Sequence, residues 1–198
     1  MRLLFGAIPS SPDFVPDESW MELRQPASPR RQNRLSLPIG VVAALAVAAL
    51  WFFVTPLLAV KPGLSSLPVF LLLWPGLVAL HELIHVLVHP MAGFSPRSSV
   101  GFCSSCGFYA HYDGELSRNR LVASMLMPLL IISTVPLLVS AVTQVASGWV
   151  AFISAFNAFG SSVDIMLAGS VLLQIPATAV VRLKSWKIYW REHDTVAA

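Results

Sequence analysis

Three histidines and one carboxylate fall within nine residues of this sequence: His81, Glu82, His85 and His89. The run His81-Glu82-Leu83-Ile84-His85 has the pattern HExxH. On a helix, residues four apart lie on one face, one turn from each other. Two imidazoles so placed can hold one zinc ion, and the intervening glutamate can serve as general base toward water there. The chemistry on offer is metal-assisted hydrolysis. The bland alternative is a polar helix end whose histidines and glutamate simply face water.

A zinc site that does hydrolysis needs three protein ligands and one open position. His89 continues the four-residue series, but it lies about 12 Å along the helix axis from His81, too far for one ion to bridge with bonds of about 2 Å. His89 therefore reads as an interfacial residue, or one that supports the ligands or the substrate. Asp164 is the better candidate for the third ligand. It is the one other acid in apolar sequence, and a carboxylate in lipid needs a cation beside it. The stretch Asn157-Ala-Phe-Gly-Ser-Ser-Val-Asp164 is rich in small residues, which weaken a helix and let a second helix come close. Asn157 can hydrogen-bond a ligand or a substrate backbone. The competing role for Asp164 is to cap a helix broken at Ser161-Ser162.

The elements that must position these residues are membrane spans. Of 198 residues, 56% are apolar and 12% charged, and the mean hydropathy is +0.70. A soluble domain carries about twice that charge, and a disordered chain is poor in apolar residues. Four uncharged or nearly uncharged runs fit spans at about 37–60, 64–89, 121–145 and 149–181, each near the ~20 residues that cross a bilayer. Lys61-Pro62-Gly63 and Gln144 to Gly148 read as turns. Residues 1–36 read as a polar, proline-rich cytoplasmic or interfacial segment, 37–181 as the transmembrane core, and 182–198 as an interfacial tail with Trp186, Tyr189 and Trp190 among bases. Between spans two and three, residues 98–102 and 107–112 hold β-formers separated by Gly and Ser. The expected fold is thus an all-α membrane protein of about four transmembrane helices, with a small β-hairpin-like insert between the second and third. An exposed strand in that insert could bind substrate by strand addition.

With four spans and the termini inside, 12 of the 13 bases lie on the cytoplasmic side and only Lys61 outside. Both termini are therefore expected in the cytoplasm of a multi-pass cell-membrane protein. No cleaved signal peptide is expected. Cys103 and Cys106 then face a reducing compartment and read as two loop thiols. The bases flank apolar runs instead of forming a basic face, so the expected partners are membrane lipid and a membrane protein or peptide substrate, and no nucleic acid.

Taken together, these pieces resemble intramembrane zinc metalloproteases of the site-2 protease type and, more narrowly, a family of integral-membrane zincin peptidases. The matching pieces are His81 to His85, Tyr109 to Arg120 with Pro128 after it, and Asn157 to Asp164, spread over about residues 65–170. The resemblance implies His81, His85 and Asp164 as zinc ligands, Glu82 as base, and peptide-bond hydrolysis in or near the membrane. Site-2 proteases usually follow the late Asp with Gly and precede it with prolines. Here Ile165 follows, Ser161-Ser162 precede, and no PDZ-like insert is present. The reading from another class is a non-enzymatic metal carrier or sensor, which shares the ligands but has no use for Glu82 as a base. A membrane adaptor would need none of these residues.

Overall fold

The computed structural model describes residues 1–54, 67–104 and 106–192. The turn expected at Lys61-Pro62-Gly63 and the facing ends of the first two spans lie outside the described residues, as do residues 193–198 of the tail.

The first helix, α1 (Pro29–Val54), starts earlier than the apolar run at Leu37. Ser28 accepts a hydrogen bond from the Arg31 amide at 3.3 Å, and Pro29 stands where a helix tolerates proline best. Arg30, Arg31 and Arg34 are good helix formers, so the helix runs through polar residues before the apolar ones begin. Helix α2 (Leu67–Leu87) carries HExxH in its last two turns. The third span is composite: α3 (Arg118–Pro128), a wider-wound π segment (Leu129–Thr134) and α4 (Val135–Thr143). Ser117 caps it, accepting from the Arg120 amide at 3.2 Å. Helices α5 (Gly148–Gly160) and α6 (Ser162–Gln174) follow, bent by 50° at Ser161.

Three of these helical stretches are long and apolar enough to cross a membrane, and four if the bent pair counts as one span. Their outward faces fit that solvent. Leu71, Leu72, Leu73, Leu80 and Leu87 on α2 and Val42, Leu45, Phe52 and Phe53 on α1 are all exposed, a continuous apolar surface that water would not tolerate on a monomer.

The expectation of an all-α protein with one small hairpin is corrected by two sheets holding seven strands. In the first, β1 (Arg2–Phe5) lies parallel to β3 (Ser98–Cys103), which pairs antiparallel with β4 (Gly107–Tyr112). In the second, the order is β2 (Met21–Glu22), β7 (Lys187–Arg191), β6 (Val180–Lys184) and β5 (Glu115–Ser117), all antiparallel. The segment 182–191 is therefore most of a hairpin. In that hairpin Val181 and Ile188 are buried, with Leu183 and Trp190 packed beside them, and the half-buried bases take the alternate positions, a period of two that aromatic-plus-basic composition disguised. Likewise the proline-rich N-terminal segment supplies two strands and buries Phe14 and Leu23. Its prolines lie outside the strands, where no ladder hydrogen bond is lost.

The last helix stops at Gln174, short of the expected 181. Pro176 holds Ile175 extended (φ −110°, ψ 129°), and the chain then enters β6. A core of Leu116, Leu121, Val171, Ile175, Val181 and Ile188 fastens the second sheet to the ends of α3 and α6.

Candidate metal centre

The bend at Ser161 decides the geometry. Breaking the helix there sets Asp164 in the first turn of α6, opposite the HExxH face of α2. The Ser161 hydroxyl donates to the Asn157 carbonyl at 3.0 Å, the kind of back-bond that competes with the helix ladder. From α1, the Ser36 and Ser162 hydroxyls meet at 3.2 Å, and Gly40 lets the two backbones touch.

His81, His85 and Asp164 form the one group of three or more potential metal ligands among the described residues, with their ligand atoms within 4.8 Å of one another. The Asp164 Oδ2 lies 3.3 Å from His81 Nε2 and 3.6 Å from His85 Nε2. The edge of a tetrahedron of zinc ligands, with bonds near 2.0–2.1 Å, is about 3.4 Å.

The other nitrogen of each ring is already committed. His85 Nδ1 donates to the Ser124 carbonyl at 2.8 Å. That carbonyl is free because Pro128, four residues on, has no N–H to give it. The Ser124 hydroxyl donates in return to the His85 carbonyl at 2.9 Å. His81 Nδ1 donates to Asn157 Oδ1 at 2.8 Å. The orientation of that amide is fixed from behind, because Asn157 Nδ2 donates to the Pro128 carbonyl at 3.1 Å and to Ser133 Oγ at 2.9 Å. With both Nδ1 atoms donating, a neutral imidazole presents a bare lone pair at Nε2. With the rings so held, the two Nε2 atoms and a carboxylate converge on one point. A shared cation, a proton or a metal ion, holds them together there, and the donor set of two nitrogens and one oxygen suits zinc.

Asn157 thus lies behind a ligand and not in the open. Ser124, Ser133 and Pro128 complete that support, and sequence reasoning did not single out the two serines. The usable signal was Pro128: a proline inside a helix leaves a carbonyl without a partner four residues earlier. Replacing Asn157 with Leu removes the acceptor that orients His81. Zinc affinity is expected to fall about 10- to 100-fold, read by competition with a metal-sensitive dye. Unchanged affinity would show that Asn157 does not set the ring.

His89 stands apart from the three ligands, past the end of α2. It is buried, its ring tilted against Tyr112 at 5.4 Å, and burial pushes its pKa down to about 4, so it is neutral. Glu82 is buried beside the ligands. Together with His81, His85 and His89 it lines a cavity of about 310 Å³. Cys106, at the β3–β4 turn, lines the same cavity, and it and Cys103 are thiols, not a disulfide.

Residues 75–180 match the model of a family described as "Putative zincin peptidase". The chain belongs to this family. No curated protein and no solved structure matches the chain. The zincin peptidase match begins inside α2 and ends at the first residue of β6, so it takes in HExxH, the β3–β4 hairpin, the composite third span and the bend that carries Asp164. Membership implies zinc, and the convergent donor set is one that zinc fits.

Proposed function

We propose that this zincin peptidase is a zinc-dependent, membrane-embedded endopeptidase of the site-2 protease kind, cutting membrane proteins or peptides in or beside the bilayer. The observation that carries the proposal is the convergence of two imidazole nitrogens and a carboxylate beside a buried glutamate in an apolar helical frame. His81, His85 and Asp164 would hold the zinc. When bound, zinc polarises the scissile carbonyl and makes water acidic enough to react near neutral pH. Glu82 would take the proton of the attacking water and pass it to the leaving amine. Asn157 and Ser124 keep the two rings aimed while this happens.

The surroundings favour an extended, partly apolar substrate. Strand β4 is the last strand of its sheet, and its residues Phe108 to His111 line the cavity. Its unpaired edge offers main-chain partners to a peptide laid alongside. A second cleft of about 230 Å³ also reaches His81 and Glu82, and its walls are Trp74, Leu77, Val78 and Phe156. The catalytic glutamate would thus stand where the cavity holding the ligands meets an apolar approach from the level of the lipid. The charge distribution supports cytoplasmic termini.

The test is hydrolysis of a membrane-anchored reporter peptide by the protein in proteoliposomes. A zinc chelator is expected to abolish cleavage and added zinc to restore it. Full activity after zinc has been stripped to background would overturn the proposal.

A further inference from the structure

The bases of this protein divide into two groups. Those of the second sheet and its neighbours have partners in the protein. Arg182 pairs with Asp113 at 3.8 Å, Lys187 with Glu22 at 2.8 Å and Arg191 with Glu115 at 3.2 Å. Lys184, Arg118 and Arg120 donate to main-chain carbonyls. The side chains of Arg2, Arg24, Arg30, Arg31, Arg34 and Arg97 have no such partner among the described residues and are exposed, and four of them, Arg24, Arg30, Arg31 and Arg34, cluster at the start of α1. No acid occurs between Glu22 and Glu82, so past Glu22 the sequence offers this cluster none.

Two of these arginines, Arg24 and Arg31, share an open cleft of about 690 Å³ between the β2 connection and the start of α1. Gln25, Pro26 and Ala27 line its wall, and the exposed Leu35 lies at its α1 end. The one carboxylate in the cleft, Glu22, is already paired with Lys187 Nζ at 2.8 Å and accepts a hydrogen bond from Tyr189 Oη at 3.0 Å. From Leu35 the outward face of α1 continues apolar through Leu37, Val41, Val42 and Leu45. The cleft therefore joins a cationic pocket to a surface suited to lipid chains.

We propose that this cleft is a binding site for the headgroup of an anionic phospholipid. Arg24 and Arg31 grip the phosphate, and the acyl chains run down α1 past Leu35. A guanidinium offers two parallel donors to a phosphate, and a basic group at the interface gains from anionic lipid about fivefold in affinity. The site rests on α1 lying in a membrane and not on the proteolytic reading, so it stands or falls separately.

The test is native mass spectrometry of the full chain in detergent, titrated with phosphatidylglycerol or phosphatidylcholine. The wild type is expected to bind phosphatidylglycerol the more tightly. The double variant Arg24→Gln, Arg31→Gln is expected to lose that preference, a drop of about 25-fold. Arg97→Gln, an exposed arginine elsewhere, is expected to leave it unchanged. Arg24→Lys with Arg31→Lys should keep part of it, which separates loss of charge from loss of fold. Equal binding of the two lipids by wild type would overturn the proposal. So would an unaffected double variant, an equal loss in Arg97→Gln, or displacement of the lipid by glycerol phosphate alone, which would mark a site for soluble phosphates.

Discussion

Glu82→Gln is expected to keep the zinc of the wild type and to lose about 10²- to 10⁴-fold in hydrolysis, whereas Asp164→Asn is expected to lose zinc and activity together. Both changes replace a carboxylate by an amide of nearly the same shape, so packing is preserved and only charge and proton chemistry differ. Glu82 contributes no atom to the three-ligand group. Its amide can still fill the space beside the ligands, but it cannot accept a proton from water. Asp164 stands 3.3 Å and 3.6 Å from the Nε2 atoms of His81 and His85. As an amide it brings no negative charge to a divalent ion. Zinc is counted by elemental analysis of purified protein and hydrolysis by the reporter in proteoliposomes. This pair also separates the enzyme from a metal carrier or sensor. A carrier needs Asp164 and is indifferent to Glu82, so a Glu82→Gln protein that cleaves like wild type would sink the catalytic assignment.

The site was more legible in the sequence than the fold around it. HExxH is read by helix period alone, and Asp164 stood out because acids are so scarce in the apolar runs. What composition could not say was how a residue 79 positions further on would reach the same depth as His85. The answer is a 50° bend at Ser161, foreshadowed by Gly160-Ser161-Ser162 and packed against α1 through Ser36 and Gly40. The sheets were harder to read. Strand β1 is four residues long and β2 only two, and each is held by a partner roughly 100 or more residues away: β1 by β3, β2 by β7. Pairing at that range leaves almost no local trace beyond alternation. The hairpin of β6 and β7 did show alternation, yet its tryptophans and lysines also suit a membrane interface.

The contact that holds the bend gives the second large prediction: Gly40→Ala, the addition of one methyl group, is expected to weaken zinc binding more than tenfold and to lower thermal stability. A Cβ at Gly40 would lie 2.8 Å from the Phe159 carbonyl oxygen and 2.9 Å from Ser162 Cβ. The first of these is backbone and cannot swing aside. Helix α1 must therefore retreat from the α5–α6 junction, stretching the Ser36–Ser162 hydroxyl contact one turn away. Overpacking of this kind costs about 1–3 kcal/mol. Here the strain falls two residues from Asp164, so part of it moves a ligand whose oxygen must sit within a few tenths of an ångström of its place. Gly169→Ala on α6 is the matching control. Nothing lies within 4 Å of its added Cβ, and alanine favours a helix interior by about 0.5–1 kcal/mol over glycine. That variant should be as stable as wild type or more so, with its zinc intact. If Gly40→Ala binds zinc as tightly as Gly169→Ala does, α1 is a lipid-facing bystander, and the position of Asp164 is fixed by α5 and α6 alone.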